Sequence, residues 1–391
     1  MNTTVIVMKI KRKELIMLST AYWDEPSWTN KQHIATEFHK KGYSVLYIEP
    51  PLFIGRFLLN MIQKVKRLPW YKKLILLRKI KKGFFVFSTF YIFPARFHEL
   101  NYRLGTSLIL CAIRMVKLLL GFSKPYLINY LPNGARYIGQ LSERSSLYDC
   151  VDEYSGMAGI DPRIVYLEQE LLRKVDAVAV TARGLYERKK PYNSNTHIVH
   201  NVGNSSLFDR EKICALPVPI ELKGMRNIVG FIGAVNFKID IELMKYLLDN
   251  ISDADFVFIG PVYDFNPADF KEYGNFHLLG SRPLDRLPEY VSNFKIGIIP
   301  YLVNEYTKYV FPLKLFEFFS ARIPVIATAL PEIMYYKDIA YIESQREKFL
   351  NTLKKLICGE ITSERLDKGY DVASKYDWSW RANELEKLLR I

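Results

Sequence analysis

Two charged residues one helical turn apart carry the most specific chemistry in this sequence. In Pro312-Leu-Lys314-Leu-Phe-Glu317 the lysine and glutamate are three positions apart, so on a helix they share a face. Proline is well placed at the start of that helix, where its missing N–H would find no partner anyway. The first turn of a helix presents free N–H groups and the positive end of the dipole, which favours an anion. A lysine added there suits a diphosphate. A glutamate one turn deeper can accept hydrogen bonds from the two hydroxyls of a ribose. An ordinary i,i+3 surface ion pair is the alternative, but Leu315, Phe316, Phe318 and Phe319 predict a largely buried helix.

The elements around this motif read as alternating strands and helices. In the first half, strands are expected at 15–19, 44–48, 84–89, 126–130, 146–148, 177–181 and 197–200, with helices at 30–40 and 163–174. A less regular stretch bearing Pro217 and Pro219 follows. The rhythm then restarts, with strands at 228–232, 255–259, 276–279, 296–300 and 324–327 and helices between them. Strand, helix, strand repetition implies parallel sheets. The expected fold is therefore α/β, two Rossmann-like domains facing across a cleft. The expected boundaries are 1–205, a linker at 206–226, a second domain at 227–370 and a C-terminal helix at 371–391 that crosses back to the first domain.

Composition narrows the class. Hydrophobic content of 49% and charged content of 25% suit a globular protein. The four cysteines lie far apart, which argues against a disulfide framework or a zinc site. The N-terminus has neither the apolar length nor the small-residue cleavage site of a signal peptide, and no apolar window is long enough for a spanning helix. A cytoplasmic protein is expected. The absence of Gly-x-Gly-x-x-Gly after any strand disfavours a nicotinamide dehydrogenase.

Net charge is +14, but residues 1–215 hold 33 Lys+Arg against 17 Asp+Glu, while the rest is slightly acidic. No acidic residue falls between Glu49 and Glu99, where eleven Lys or Arg do. Trp70, Lys72, Lys73 and Arg78 belong to this stretch, in which aromatics, aliphatics and cations interleave. Such a segment suits an anionic membrane interface. No nucleic-acid recognition motif accompanies the charge, so nucleic acid is not expected as a partner.

The span from Pro300 to Thr328 resembles the donor-binding signature of GT-B glycosyltransferases, which have two Rossmann-like domains. The likeness extends to the segments Asn227 to Val235, Phe258 to Pro261, His277 to Pro283, Tyr148 to Tyr154 and Gln32 to Ala35. It points to bacterial enzymes of surface-polysaccharide assembly, of the teichuronic acid operon kind and, more distantly, the xanthan-assembly glucuronosyltransferase kind. The resemblance implies sugar transfer from a nucleotide-sugar, with UDP the preferred nucleotide, to a lipid-linked or saccharide acceptor on the inner membrane face. Gly233 and Ala234 would admit the donor phosphates, Arg282 and Lys314 would neutralise the diphosphate, Thr307 would donate to it and Glu317 would hold the ribose.

No cofactor and no metal are expected. The Asp253-Ala-Asp255 cluster precedes a strand, away from its ligand-binding end, and Lys314 with Arg282 would replace a metal. Asp152, followed by Glu153, is the candidate general base, with His33 as the alternative; Trp28 and Asn30 would face the acceptor. Many retaining members carry Glu-x7-Glu spacing; counted back from Glu317 that position is Tyr309, and the usual turn glycine before Pro-Val-Ile is replaced by Arg322 and Ile323. Two other readings share these features: a non-hydrolysing nucleotide-sugar epimerase of the same fold, and a non-catalytic basic module binding membrane or nucleic acid.

Overall fold

Short runs such as Leu15-Ile-Met-Leu18 are apolar on both faces, as a strand covered on both sides by helices must be. In the computed structural model, which describes residues 13–25, 28–54, 76–91, 99–156 and 159–390, these runs form two separate sheets.

The first domain contains strands β1 (Lys13–Leu18), β2 (Tyr43–Ile48), β3 (Leu52–Phe53), β4 (Leu77–Lys81), β5 (Phe84–Phe87), β6 (Phe90–Tyr91), β7 (Tyr126–Asn129), β8 (Ser146–Cys150), β9 (Ala177–Val180) and β10 (Thr196–Ile198). Its helices among the described residues include α1 (Asn30–Lys40), α2 (Glu99–Leu119), α3 (Pro162–Lys174) and α4 (Arg183–Lys189). The main sheet runs β10-β9-β8-β7-β1-β2-β5-β4, parallel except for the edge hairpin β4–β5. Helix α2 holds nearly all of the apolar stretch from Leu104 to Leu120, interrupted by Arg114 and Lys117, which the sequence reads as a buried or surface-lying helix. Ile109, Ile113 and Val116 pack inward, while Leu100, Leu104, Leu108, Met115, Leu118 and Leu119 are exposed. No described helix is long and apolar enough to cross a membrane.

After the short helix α5 (Arg210–Ile213), the second domain builds a six-stranded, all-parallel sheet. Its strands are β11 (Val229–Ile232), β12 (Phe256–Ile259), β13 (Phe276–Gly280), β14 (Ile296–Ile299), β15 (Val325–Thr328) and β16 (Tyr341–Glu343), in the order β13-β12-β11-β14-β15-β16. Helices α6 (Ile241–Asn250), α7 (Leu287–Val291), α8 (Lys314–Ser320), α9 (Arg346–Ile357) and α10 (Ser363–Lys375) cover it. The chain order reverses between β11 and β14. Loops at the carboxyl ends on either side of such a switch point form a ligand crevice.

The last helix, α11 (Trp378–Leu389), returns to the first domain. Trp378, Ala382, Leu385, Leu388 and Leu389 join the same apolar core as Leu15, Ile34, Phe38 and Val45. Asp377 caps the helix by accepting from the Trp380 N–H at 2.8 Å.

Candidate active site between the two sheets

Gly233 follows strand β11 directly, and its φ of 114° lies in the region that favours glycine. A Cβ there would stand 3.3 Å from Cε and 3.4 Å from Nζ of Lys314. The lysine amine therefore lies directly against the bare backbone of the loop, and Ala234 continues the same wall. Lys314 is 7% exposed. Its Nζ donates to the Tyr301 hydroxyl at 2.6 Å and lies 4.4 Å from the centre of the Phe231 ring. Burial pushes its pKa down to about 8, against the opposing pull of Glu317.

Helix α8 begins at Lys314 rather than at Pro312, whose carbonyl accepts the Leu315 N–H at 3.1 Å in the leading turn. Lys314 is turned to Tyr301, so the i,i+3 surface ion pair is not what the motif forms. Glu317 instead faces the interdomain chain: its Cγ would lie 3.0 Å from a Cβ on Gly203, and the Asn204 N–H bonds to its carboxylate. Burial raises its pKa to about 7, with Lys314 and that N–H working against burial. After α8, Arg322 takes a φ of 52°, so the turn keeps the left-handed backbone that a glycine would adopt more easily.

Gly233, Ala234, Tyr301, Lys314 and Glu317 line a cleft of about 350 Å³ between the sheets, together with Trp28, Asn30, Lys31, Asp152, Asn201, Lys238 and Arg282. Asn30 and Asn201 join through their side-chain amides, bridging the first residue of α1 and the chain after β10. Asp152 follows β8, and the Tyr306 hydroxyl of the opposite domain hydrogen-bonds to it. Trp28 packs on Trp23 with ring centres 5.0 Å apart. Two cations here escaped the sequence reading. Lys238 stands over the Tyr301 ring at 5.7 Å; its only sequence signal is a position a few residues beyond the glycine loop. Lys31, next to Asn30, belongs to no motif.

Several expected roles change. Arg282 reaches the cleft, but its guanidinium is held by Tyr290 at 2.9 Å, the Leu279 carbonyl at 2.7 Å and Glu221 at 3.0 Å, so it stands as a fixed wall of the cleft. Thr307 is fully buried, and its hydroxyl closes a turn on the Leu302 carbonyl and Asn304. It cannot serve the phosphates. Glu153 is buried against Lys189 at 3.1 Å, with Ser155 donating at 2.6 Å. Burial alone would raise its pKa, but Lys189, Ser155 and Arg188 overcome burial and hold it below the ordinary value. It is a structural ion-pair partner. His33 does not line the cleft: its ring stacks on Trp378 at 4.6 Å and 8°, and burial lowers its pKa to about 4. Arg78 pairs with Asp24 at 2.6 Å and Glu49 at 3.2 Å inside the first domain, and β4 runs as a strand where an interfacial segment was expected. Trp70, Lys72 and Lys73 lie outside the described residues.

Tyr309 explains the missing glutamate of the spaced pair. It packs on Gly184 of the first domain and accepts from Arg188 at 3.1 Å, so this position joins the domains instead of facing the cleft. Asp255 accepts from the Arg226 N–H at 2.7 Å and contacts His277 at 2.8 Å, on the far end of its strand from the cleft. Among the described residues no three His, Cys, Asp or Glu side chains are grouped so as to hold a metal ion.

The arrangement matches solved structures along nearly the whole chain. Sucrose-phosphate synthase from Thermosynechococcus elongatus superposes with a TM-score of 0.69 at 14% identity, covering 97% of this chain and 98% of that one. Anabaena Alr3699/HepE in complex with UDP matches with a TM-score of 0.66 at 11% identity over 97% and 99%. WaaG, a glycosyltransferase involved in lipopolysaccharide biosynthesis, matches with a TM-score of 0.63 at 10% identity over 96% and 99%. The chain has the GT-B glycosyltransferase fold. A Bacillus subtilis (strain 168) protein, TuaH, carried as a candidate teichuronic acid biosynthesis glycosyltransferase, is 31% identical over 268 residues. That alignment covers 63% of this chain and 66% of the relative, a little under two thirds of its length. No family model matches. The resemblance to GT-B enzymes and to the teichuronic acid kind is thus met by independent comparison, while the xanthan-assembly likeness rests on the sequence motifs alone.

Proposed function

We propose that this GT-B chain is a metal-independent glycosyltransferase that moves a sugar from a UDP-sugar to a lipid-linked or saccharide acceptor of bacterial surface polysaccharide. The observation that carries the reading is the Lys314 amine lying against the bare Gly233 backbone, one helical turn from Glu317. The diphosphate lies over Gly233 and Ala234. Lys314 and Lys238 take up its charge, which grows as the bond to the sugar breaks. Glu317 accepts from the ribose hydroxyls. The acceptor oxygen bonds to the anomeric carbon, the donor bond's electron pair leaves with UDP, and Asp152 takes the acceptor's proton.

A thermal-shift panel of UDP, GDP, CDP and ADP against wild type and Lys314→Ala tests it. A diphosphate at ~100 times its dissociation constant should stabilise the wild type by roughly 2.7 kcal/mol and leave the variant unmoved. If no diphosphate stabilises the wild type, the reading is lost. Addition of EDTA should leave UDP binding unchanged.

The same reading puts the first domain on the inner face of the cell membrane. Its support is the outer stripe of α2, apolar on the side that faces away from the core, in a sequence stretch from Glu49 to Glu143 that holds Glu99 as its one acid. The protein should sediment with phosphatidylglycerol vesicles and not with phosphatidylcholine vesicles. A Leu104→Glu, Leu108→Glu variant should stay in the supernatant; unchanged sedimentation would remove α2 from the contact.

A further inference from the structure

Lys31 is a cation that the transfer chemistry leaves unused. It sits in the first turn of α1 and is 7% exposed. Its Nζ lies 5.6 Å from the centre of the Tyr130 ring. Among the described residues no oxygen lies within hydrogen-bonding distance of its ammonium, although it lines the same cleft as Asp152, Gly233 and Lys314. Burial pushes its pKa down, and Asp152, Asp149 and Glu25 only partly restore it. Asp149 is already engaged by Arg381 at 2.6 Å. An ammonium on so nearly buried a side chain, open only to the cleft and without a hydrogen-bond acceptor, is largely desolvated at a cost in stability, so such a residue persists where a bound ligand supplies the acceptor.

We propose that Lys31 binds an anionic group of the substrate on the first-domain side of the cleft, either a carboxylate on the transferred sugar or a phosphate of the acceptor. The inference rests on the glycosyltransferase reading. It adds a subsite for negative charge beyond the nucleotide's own diphosphate. Lys314 and Lys238 stand on the opposite domain, so a substrate anion at Lys31 would be read separately from the leaving group.

Calorimetric binding to wild type, Lys31→Met and Lys31→Arg tests it, with UDP, UDP-glucose, UDP-glucuronate and, in UDP-saturated protein, inorganic pyrophosphate. UDP and UDP-glucose should bind all three proteins equally. Lys31→Met should weaken one anionic probe by about tenfold or more, the scale of a lost charge-assisted hydrogen bond, while Lys31→Arg retains most of the affinity. Weakened UDP-glucuronate assigns the carboxylate; weakened pyrophosphate assigns the acceptor phosphate. Equal binding of both anionic probes to wild type and Lys31→Met overturns the proposal while UDP binding keeps the donor site. Failure of UDP to bind wild type overturns the underlying reading as well. Ligand-free Lys31→Met should also melt above wild type, since it removes a largely desolvated charge that no hydrogen bond satisfies; a lower melting temperature would make Lys31 a structural residue and overturn the subsite.

Discussion

Arg381 of the last helix donates to Asp149 of β8 at 2.6 Å, and neither side chain has any exposure to solvent. The same guanidinium also donates to the carbonyls of Val199 and His200. One residue therefore ties α11 to a central strand and to the chain that leaves β10. The cleft residues Asp152 and Asn201 lie a few positions beyond those two anchors.

Removing one partner of such a pair leaves the other charge buried and uncompensated. Arg381→Met should cost about 3–5 kcal/mol of unfolding free energy, read from urea denaturation. Adding Asp149→Asn to it should recover much of the loss. A single-variant loss below about 1 kcal/mol would show that the pair does not hold the helix.

Asp152 and Glu153 are neighbours with opposite fates. Asp152→Asn should lower kcat by ~10²–10⁴ while UDP affinity stays at the wild-type value. Glu153→Gln should act on stability, at about 1–3 kcal/mol, because Lys189 loses one of two buried partners and keeps Glu168 at 2.8 Å. Its folded fraction should turn over normally. A kcat loss confined to Glu153→Gln at full stability would reverse the two assignments.

Donor affinity should depend on pH with a narrow optimum. Below about 7, Glu317 takes up a proton and can no longer accept from both ribose hydroxyls. Above about 8, Lys314 loses the proton that gives it charge. UDP affinity should be highest between these values and fall on both sides. In Lys314→Arg the alkaline limb should disappear, because guanidinium stays charged. A flat profile from about pH 6 to about pH 9 would detach the pair from binding.

His33→Phe should retain turnover and its pH profile. Phenylalanine keeps the stack on Trp378, and the contact to Asn204 is long, at 3.4 Å. A large kcat loss would return His33 to the list of proton carriers.

Much of the fold was legible because buried parallel strands are nearly all apolar and helices between them are periodic. Helix α1 was legible at 30–40 because Lys41-Gly42 ends it; the Thr29 cap ahead of it shows only in the structure. Lys314 and Glu317 were legible because a motif joins them. The errors have a common cause, which is that partner choice is set by tertiary distance. Glu153 looked catalytic after a strand, but Lys189 and Arg188 reach it from α4. His33 meets Trp378 from the far end of the chain. Thr307 sits in the right loop with its hydroxyl turned into its own turn. Lys31 and Lys238 carry no motif, and only the assembled cleft shows them.

The return of α11 has a bearing on how the protein is made. The first domain emerges first from the ribosome, yet the apolar surface around Leu15, Ile34 and Phe38 lacks Trp378, Leu385 and Leu389 until the second domain has been synthesised. Domains often complete folding in the order of their translation. Here the earlier domain must wait for the later one, holding an open greasy face throughout. Cutting the gene between the domains would yield a first half that is sticky rather than self-sufficient, whereas supplying the last helix as a separate peptide should rescue its solubility.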